Sequence, residues 1–108
     1  MDEEPRAPAL FFDLTHRGGG VVRLTVIGVV DVSNAERLRA AIEEAFSMAS
    51  TVEVEMDDVP FIDSQGIRAL TVPLRHGDRR LVVATASESV RRLLQVTGLE
   101  QHFEQTGG

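Results

Sequence analysis

Val59-Pro60-Phe61-Ile62-Asp63-Ser64-Gln65-Gly66-Ile67 is the stretch in which the chain changes character. Ahead of it, Val52-Glu53-Val54-Glu55-Met56 alternates apolar and acidic residues, the period of a strand with one dry face. Asp57, Asp58 and Pro60 break that strand. Behind it, Ile67, Leu70 and Leu74 recur at helical spacing, and Asp63 stands where a helix cap belongs. The pattern predicts a strand, a break and a capped helix, with Ser64 in the first helical turn, just past the carboxyl end of a parallel strand. Backbone N–H groups without intrahelical partners collect at such a point, and the helix dipole favours negative charge there. Local sequence leaves two readings open: Asp63 and Ser64 only cap a helix, or Ser64 accepts a phosphate.

Toward the amino terminus, residues 31–48 read as the clearest helix. Ser33 and Glu36 stand three apart as a capping box, and Leu38, Ala41, Ile42, Ala45 and Phe46 form one apolar stripe. Glu36, Arg37, Arg39, Glu43 and Glu44 read as its solvated face. Residues 9–14 and 21–30 are β-rich runs joined by His16-Arg17-Gly18-Gly19-Gly20, an antiparallel hairpin with His16 in the turn. Residues 1–8, with three acids and two prolines, have the composition of a disordered tail.

Toward the carboxyl end, Pro73 lacks the N–H that would bond the Ala69 carbonyl and disfavours helical geometry at Val72. The second helix is therefore expected to stop near Thr71 or to kink. Residues 81–84 read as a fourth strand. Ser87 or Ser89 caps a third helix carrying Val90, Leu93 and Leu94, which Gly98 closes as a left-handed residue. His102-Phe103-Glu104 reads as a short final strand. Strand-helix-strand crossovers are right-handed, so strands two to four advancing one way across the sheet put both crossover helices on one face. The predicted fold is α/β, a mixed sheet of four to five strands with helices packed mainly on one face and Glu53 and Glu55 on the other.

Three motifs thus stand in order. Gly28-Val29-Val30-Asp31 ends the second strand, Asp63-Ser64-Gln65-Gly66-Ile67 opens the second helix, and Ser89-Val90-Arg91-Arg92-Leu93-Leu94 with Thr97-Gly98-Leu99 forms the last helix and its turn. Together they resemble STAS domains of the anti-sigma factor antagonist type, whose loop reads Asp-Ser-Ser/Thr-Gly-Leu and whose second strand ends in Gly-Glu-X-Asp. The resemblance runs from about residue 10 to residue 103, and implies a STAS domain over residues 9–108. It implies a protein that binds an anti-sigma factor with kinase activity while unphosphorylated. Phosphorylation at Ser64 then switches it off, and a PP2C-like phosphatase resets it. It further implies partner contacts at Asp31, Ser33, Asp63, Ser64, Gln65 and Gly66.

Some positions depart from the family pattern. Gln65 replaces a small Ser or Thr, which alters the approach of a kinase, and Val29 replaces a common Glu, which removes one charge from the same rim. Family members usually run several residues further before the fourth strand, where this chain has Arg75-His76-Gly77-Asp78. They commonly add a C-terminal helix, which is not expected here.

Composition excludes several classes. The chain of 108 residues, 43% hydrophobic, suits one domain with its own core. A net charge of −6 argues against direct nucleic-acid binding, because little is left to neutralise phosphates. Without cysteine there is no disulfide framework, thiolate metal site or thiol nucleophile. No run approaches a membrane span and no signal peptide is expected, so the expected compartment is the cytoplasm. Asp31, Asp57, Asp58 and Asp63 lack the spacing of a calcium loop, and neither metal nor cofactor is expected. An enzyme with Ser64 as nucleophile needs a base, and nothing pairs His16, His76 or His102 with it; the chain is expected not to be an enzyme. Two readings of Ser64 remain. In one, phosphate beside Asp31 and Asp63 repels an acidic partner patch. In the other, the domain is a non-phosphorylated STAS subunit of a lipid-transport or other multiprotein complex, and Ser64 is only a cap.

Overall fold

The hairpin at the start of the chain is set by glycine. In the computed structural model, which describes residues 9–99, β1 (Leu10–Gly18) and β2 (Val21–Gly28) pair antiparallel, with Leu10 opposite Gly28 and His16 opposite Val22. The turn is confined to Gly18, Gly19 and Gly20, at φ of 82°, 62° and 79°, a backbone that residues with a Cβ rarely adopt. His16 is therefore an exposed strand residue and not the turn residue expected, because the three glycines alone absorb the reversal.

β2, β3 (Thr51–Asp58) and β4 (Arg80–Ala86) run parallel, and the sheet order is β1-β2-β3-β4 among the described residues. β3 runs through Asp57 and Asp58, which were expected to break it. Asp58 still finds Ile27 as its partner past an irregularity in the ladder, and both carboxylates are exposed, so the strand keeps its acids in water. β4 is longer than expected at both ends.

The helices lie on one face, as the crossover rule requires. These are α1 (Ala35–Phe46), α2 (Ser64–Thr71) and α3 (Glu88–Val96). Leu38 and Ile42 of α1, Ile67 and Leu70 of α2, and Val90 and Leu94 of α3 are buried in one core with Leu24, Val26, Val54, Met56 and Val83 of the sheet. Each such side chain contributes about 1.5–3 kcal/mol on leaving water. The opposite face of β2 and β3 is ionic. Arg23 reaches Glu53 and Glu55, each at 3.1 Å, and the Thr25 hydroxyl donates to Glu55 at 3.1 Å.

α1 starts four residues later than expected, and its capping box does not form. The Ser33 N–H and hydroxyl both donate to Asp31 Oδ1, at 2.9 and 2.5 Å, so Ser33 belongs to the Asp31 loop and lies one residue ahead of the cap position. Glu36 turns instead to Arg39, which holds its carboxyl below the usual carboxylate range by hydrogen bonding. Asn34 occupies the cap position without a side-chain cap bond.

α2 ends at Thr71 as Pro73 dictates, and the chain tightens into a 3₁₀ turn over Val72–Arg75. Val72 stays helical at φ −58°, ψ −42°, against the expectation for a residue before proline, because the turn tightens and does not open into extended chain. Arg79 pins this turn to α1. It donates to the Pro73 carbonyl at 3.1 Å and to Glu43 at 2.8 Å, and lies 5.0 Å from the Phe46 ring centre. Ser87 is the residue that caps α3, accepting from the Val90 N–H at 3.3 Å. Gly98, at φ 78°, closes α3, and the Leu99 N–H donates to the Leu94 carbonyl at 2.9 Å. The expected tail over residues 1–8 and the strand at His102-Phe103-Glu104 lie outside the described residues.

Candidate functional site

Two chain exits meet at the carboxyl rim of the sheet. Beyond β2 and β3 the chains pair once more, in a parallel bridge between Val30 and Ile62. The Val30 N–H donates to the Phe61 carbonyl at 3.0 Å, and the Asp63 N–H donates to the Val30 carbonyl at 3.2 Å. Asp31 directly follows Val30 and Asp63 directly follows Ile62, so this bridge sets Asp31 and Ser33 beside Asp63, Ser64 and Gln65. Ligand and partner sites of α/β proteins gather at such rims.

The Asp31 loop is a tight local network. Beyond its bonds to Ser33, the Asp31 N–H donates to Asn34 Oδ1 at 3.0 Å, and Asn34 Nδ2 donates to the Val29 carbonyl at 3.0 Å. Asn34 is 2% exposed, the buried polar side chain among the described residues. The sequence reading missed it. Its signal was an amide residue three places after Asp31, immediately before an apolar helical stripe, a position where such side chains bond the local backbone.

The second loop differs from expectation in one respect. Asp63 caps α2, and its Oδ1 accepts the N–H groups of Gln65 at 2.9 Å and Gly66 at 3.0 Å. The amides expected to be free for a phosphate are thus already taken, by a carboxylate. Ser64 is exposed, and no described residue hydrogen-bonds its hydroxyl; it is not the cap. Gly66 is buried. A Cβ built there meets Ile62 Cγ1 at 2.4 Å and Val30 Cγ1 at 2.8 Å, so glycine lets α2 press onto the bridge and so fixes the position of Ser64.

Around Ser64 the surface is partly apolar. Val32 is 74% and Phe61 50% exposed. A groove of about 360 Å³ between α1 and α2 is lined by Val32, Glu36, Arg39, Gln65, Arg68 and Val72, among others. A second, of about 550 Å³, runs between Phe61 and the α3 residues Glu88, Arg92 and Val96.

Neither described histidine is near the serine. His16 pairs with Val22 at the amino-terminal end of β2, and His76 lies between the 3₁₀ turn and the start of β4 in a depression with Ser50 just ahead of β3. Both sit at the rim opposite Ser64, and His102 lies outside the described residues. Among the described residues, no group of three or more His, Cys, Asp or Glu side chains is placed to hold a metal, and no helix is long and apolar enough to cross a membrane.

This architecture recurs among solved structures. An anti-sigma factor antagonist from Mycobacterium paratuberculosis superposes with a TM-score of 0.76 at 20% identity, over 93% of this chain and 87% of that one. The anti-sigma factor antagonist SpoIIAA in its unphosphorylated form gives 0.72 at 23% identity, over 89% and 88%. The Bacillus cell fate determinant SpoIIAA in the phosphorylated form gives 0.68 at 22% identity, over 89% and 91%. At these identities the likeness is one of fold. A comparison with curated proteins gives no match. The STAS domain family model matches residues 13–107, and with that match across nearly the whole chain the protein belongs to the STAS domain family.

Proposed function

We propose that this STAS domain is an anti-sigma factor antagonist switched by phosphorylation at Ser64. Unmodified, it docks on a kinase-type anti-sigma factor through the rim formed by Asp31, Ser33, Asp63, Ser64 and Gln65, with Gly66 holding the rim in place. The kinase transfers the terminal phosphoryl group of ATP to Ser64 Oγ, the hydroxyl proton leaves, and ADP is released. A PP2C-like phosphatase hydrolyses the ester and restores binding. The setting is cytoplasmic, and the domain does no chemistry of its own.

The observation that carries this reading is the exposed hydroxyl of Ser64, bonded by no described residue, at the rim where both loops converge. Phosphate adds about −1.5 to −2 charges at that point. Asp31 and Asp63 already stand there, so the addition makes the rim strongly anionic in the middle of the contact. A charge that the partner does not match, buried at an interface, costs several kcal/mol, enough to release a partner. The core lies beneath and is not touched. The fold's likeness to SpoIIAA, which has been solved in unphosphorylated and phosphorylated forms, supports the same reading.

A pull-down from the native organism with wild-type and Ser64→Glu baits, read by mass spectrometry, tests it. A kinase-type anti-sigma factor captured by wild type and lost with Ser64→Glu is the expected result. A transport complex captured equally by both baits would decide for a STAS subunit in which Ser64 is not modified.

A further inference from the structure

The cap of α2 raises a question about the phosphate itself. The N–H groups of Gln65 and Gly66 are engaged by Asp63 Oδ1, and only the Ser64 amide remains at the helix start. A phosphate on Ser64 therefore meets a carboxylate where a bare helix terminus would offer donors. Asp31 stands across the bridge with a second carboxylate. A cation within reach would offset part of this charge.

Resting on the reading of Ser64 as the modified residue, we propose that Arg68 is the internal counter-ion of phosphorylated Ser64. Ser64 and Arg68 are four apart within α2, so their side chains are neighbours on one helix face. An arginine in a helix also leans toward the amino-terminal turn, where Ser64 lies. Arg68 is exposed and, among the described residues, makes no ion pair. The other cation of the adjoining groove is Arg39, which is engaged by Glu36 and lies 3.8 Å from Glu43. Among the described residues, the charged groups around the site are thus Asp31, Asp63, Glu36 and Arg39, with Glu88 and Arg92 paired across the groove beside Phe61, and Arg68 has a guanidinium that no described carboxylate engages. Its planar fork matches two phosphate oxygens at once, which lysine cannot do. The phosphate is drawn back along α2 toward the groove beside Gln65, and α2 gains a contact that the unmodified domain lacks.

Phosphoserine installed at position 64 during translation makes the test independent of any kinase. The probe is the phosphate, followed by phosphorus NMR through its second ionisation in the wild-type, Arg68→Gln and Arg68→Lys backgrounds. The helix start and both aspartates are the same in all three, so only the residue-68 contribution differs. The second ionisation of the wild-type phosphoprotein is expected at lower pH than in Arg68→Gln by about 0.15–0.4 unit, with Arg68→Lys between them. Equal ionisation in all three proteins would overturn the proposal, whatever Arg68→Gln does to partner binding. Failure of Ser64→Glu to weaken a partner would instead count against the switch and leave this pairing standing.

Discussion

Gly66 and Asp63 show how much of this rim rests on single residues. Gly66→Ala forces a methyl into Ile62 and Val30, both buried, and is expected to cost about 1–3 kcal/mol in urea unfolding while moving the start of α2. A variant as stable as wild type would mean that α2 can lift from the bridge freely. Asp63→Ala strands the two amides it now satisfies and is expected to cost about 0.5–2 kcal/mol in the same measurement. The roles of these residues were partly legible. Asp63 as a cap followed from residue type ahead of an apolar helical stripe. Gly66 as a packing glycine did not, because its neighbours Val30 and Ile62 come together only through pairing of two distant loops. The occupied amides of α2 were not legible either, since residue type does not say whether a capping carboxylate bonds one N–H or two. Asn34 escaped for a similar reason: it bonds backbone groups of a loop whose path depends on the bridge.

At the level of elements, order and face were readable from periodicity, while the ends were decided by local competition. Ser33 and Glu36 have the spacing of a capping box, yet Ser33 bonds into the Asp31 loop one residue ahead of the cap, and Glu36 pairs with Arg39. Pro73 ended α2 where its missing donor requires, and the tertiary hold of Arg79 on the Pro73 carbonyl accompanies the helical geometry of Val72. Ser87 offers the clearest element-scale test. Its hydroxyl donates to the Val59 carbonyl at 2.6 Å and accepts from the Val90 N–H, so it ties the start of α3 to the approach of the Ser64 loop. Ser87→Ala is expected to lose about 1–2 kcal/mol and to raise amide exchange in the first turn of α3. Ser89→Ala, outside the cap, is expected to change neither; equal losses from both would assign the cap wrongly.

For the whole molecule, the arrangement separates what folds the domain from what it presents. One face of the sheet holds the core and the helices, and the carboxyl rim carries Ser64 above that core, tethered by backbone pairing. Charge added at Ser64 should therefore change what the domain binds and leave its stability alone. Calorimetric titration of wild type, Ser64→Ala and Ser64→Glu against the isolated anti-sigma factor of the proposed pair, with a melting curve for each, measures this directly. Ser64→Ala should bind as wild type does. Ser64→Glu should bind at least ~10-fold more weakly, with a melting midpoint within about 3 °C of wild type. Wild-type affinity in Ser64→Glu, or an affinity lost together with the fold, would contradict the account.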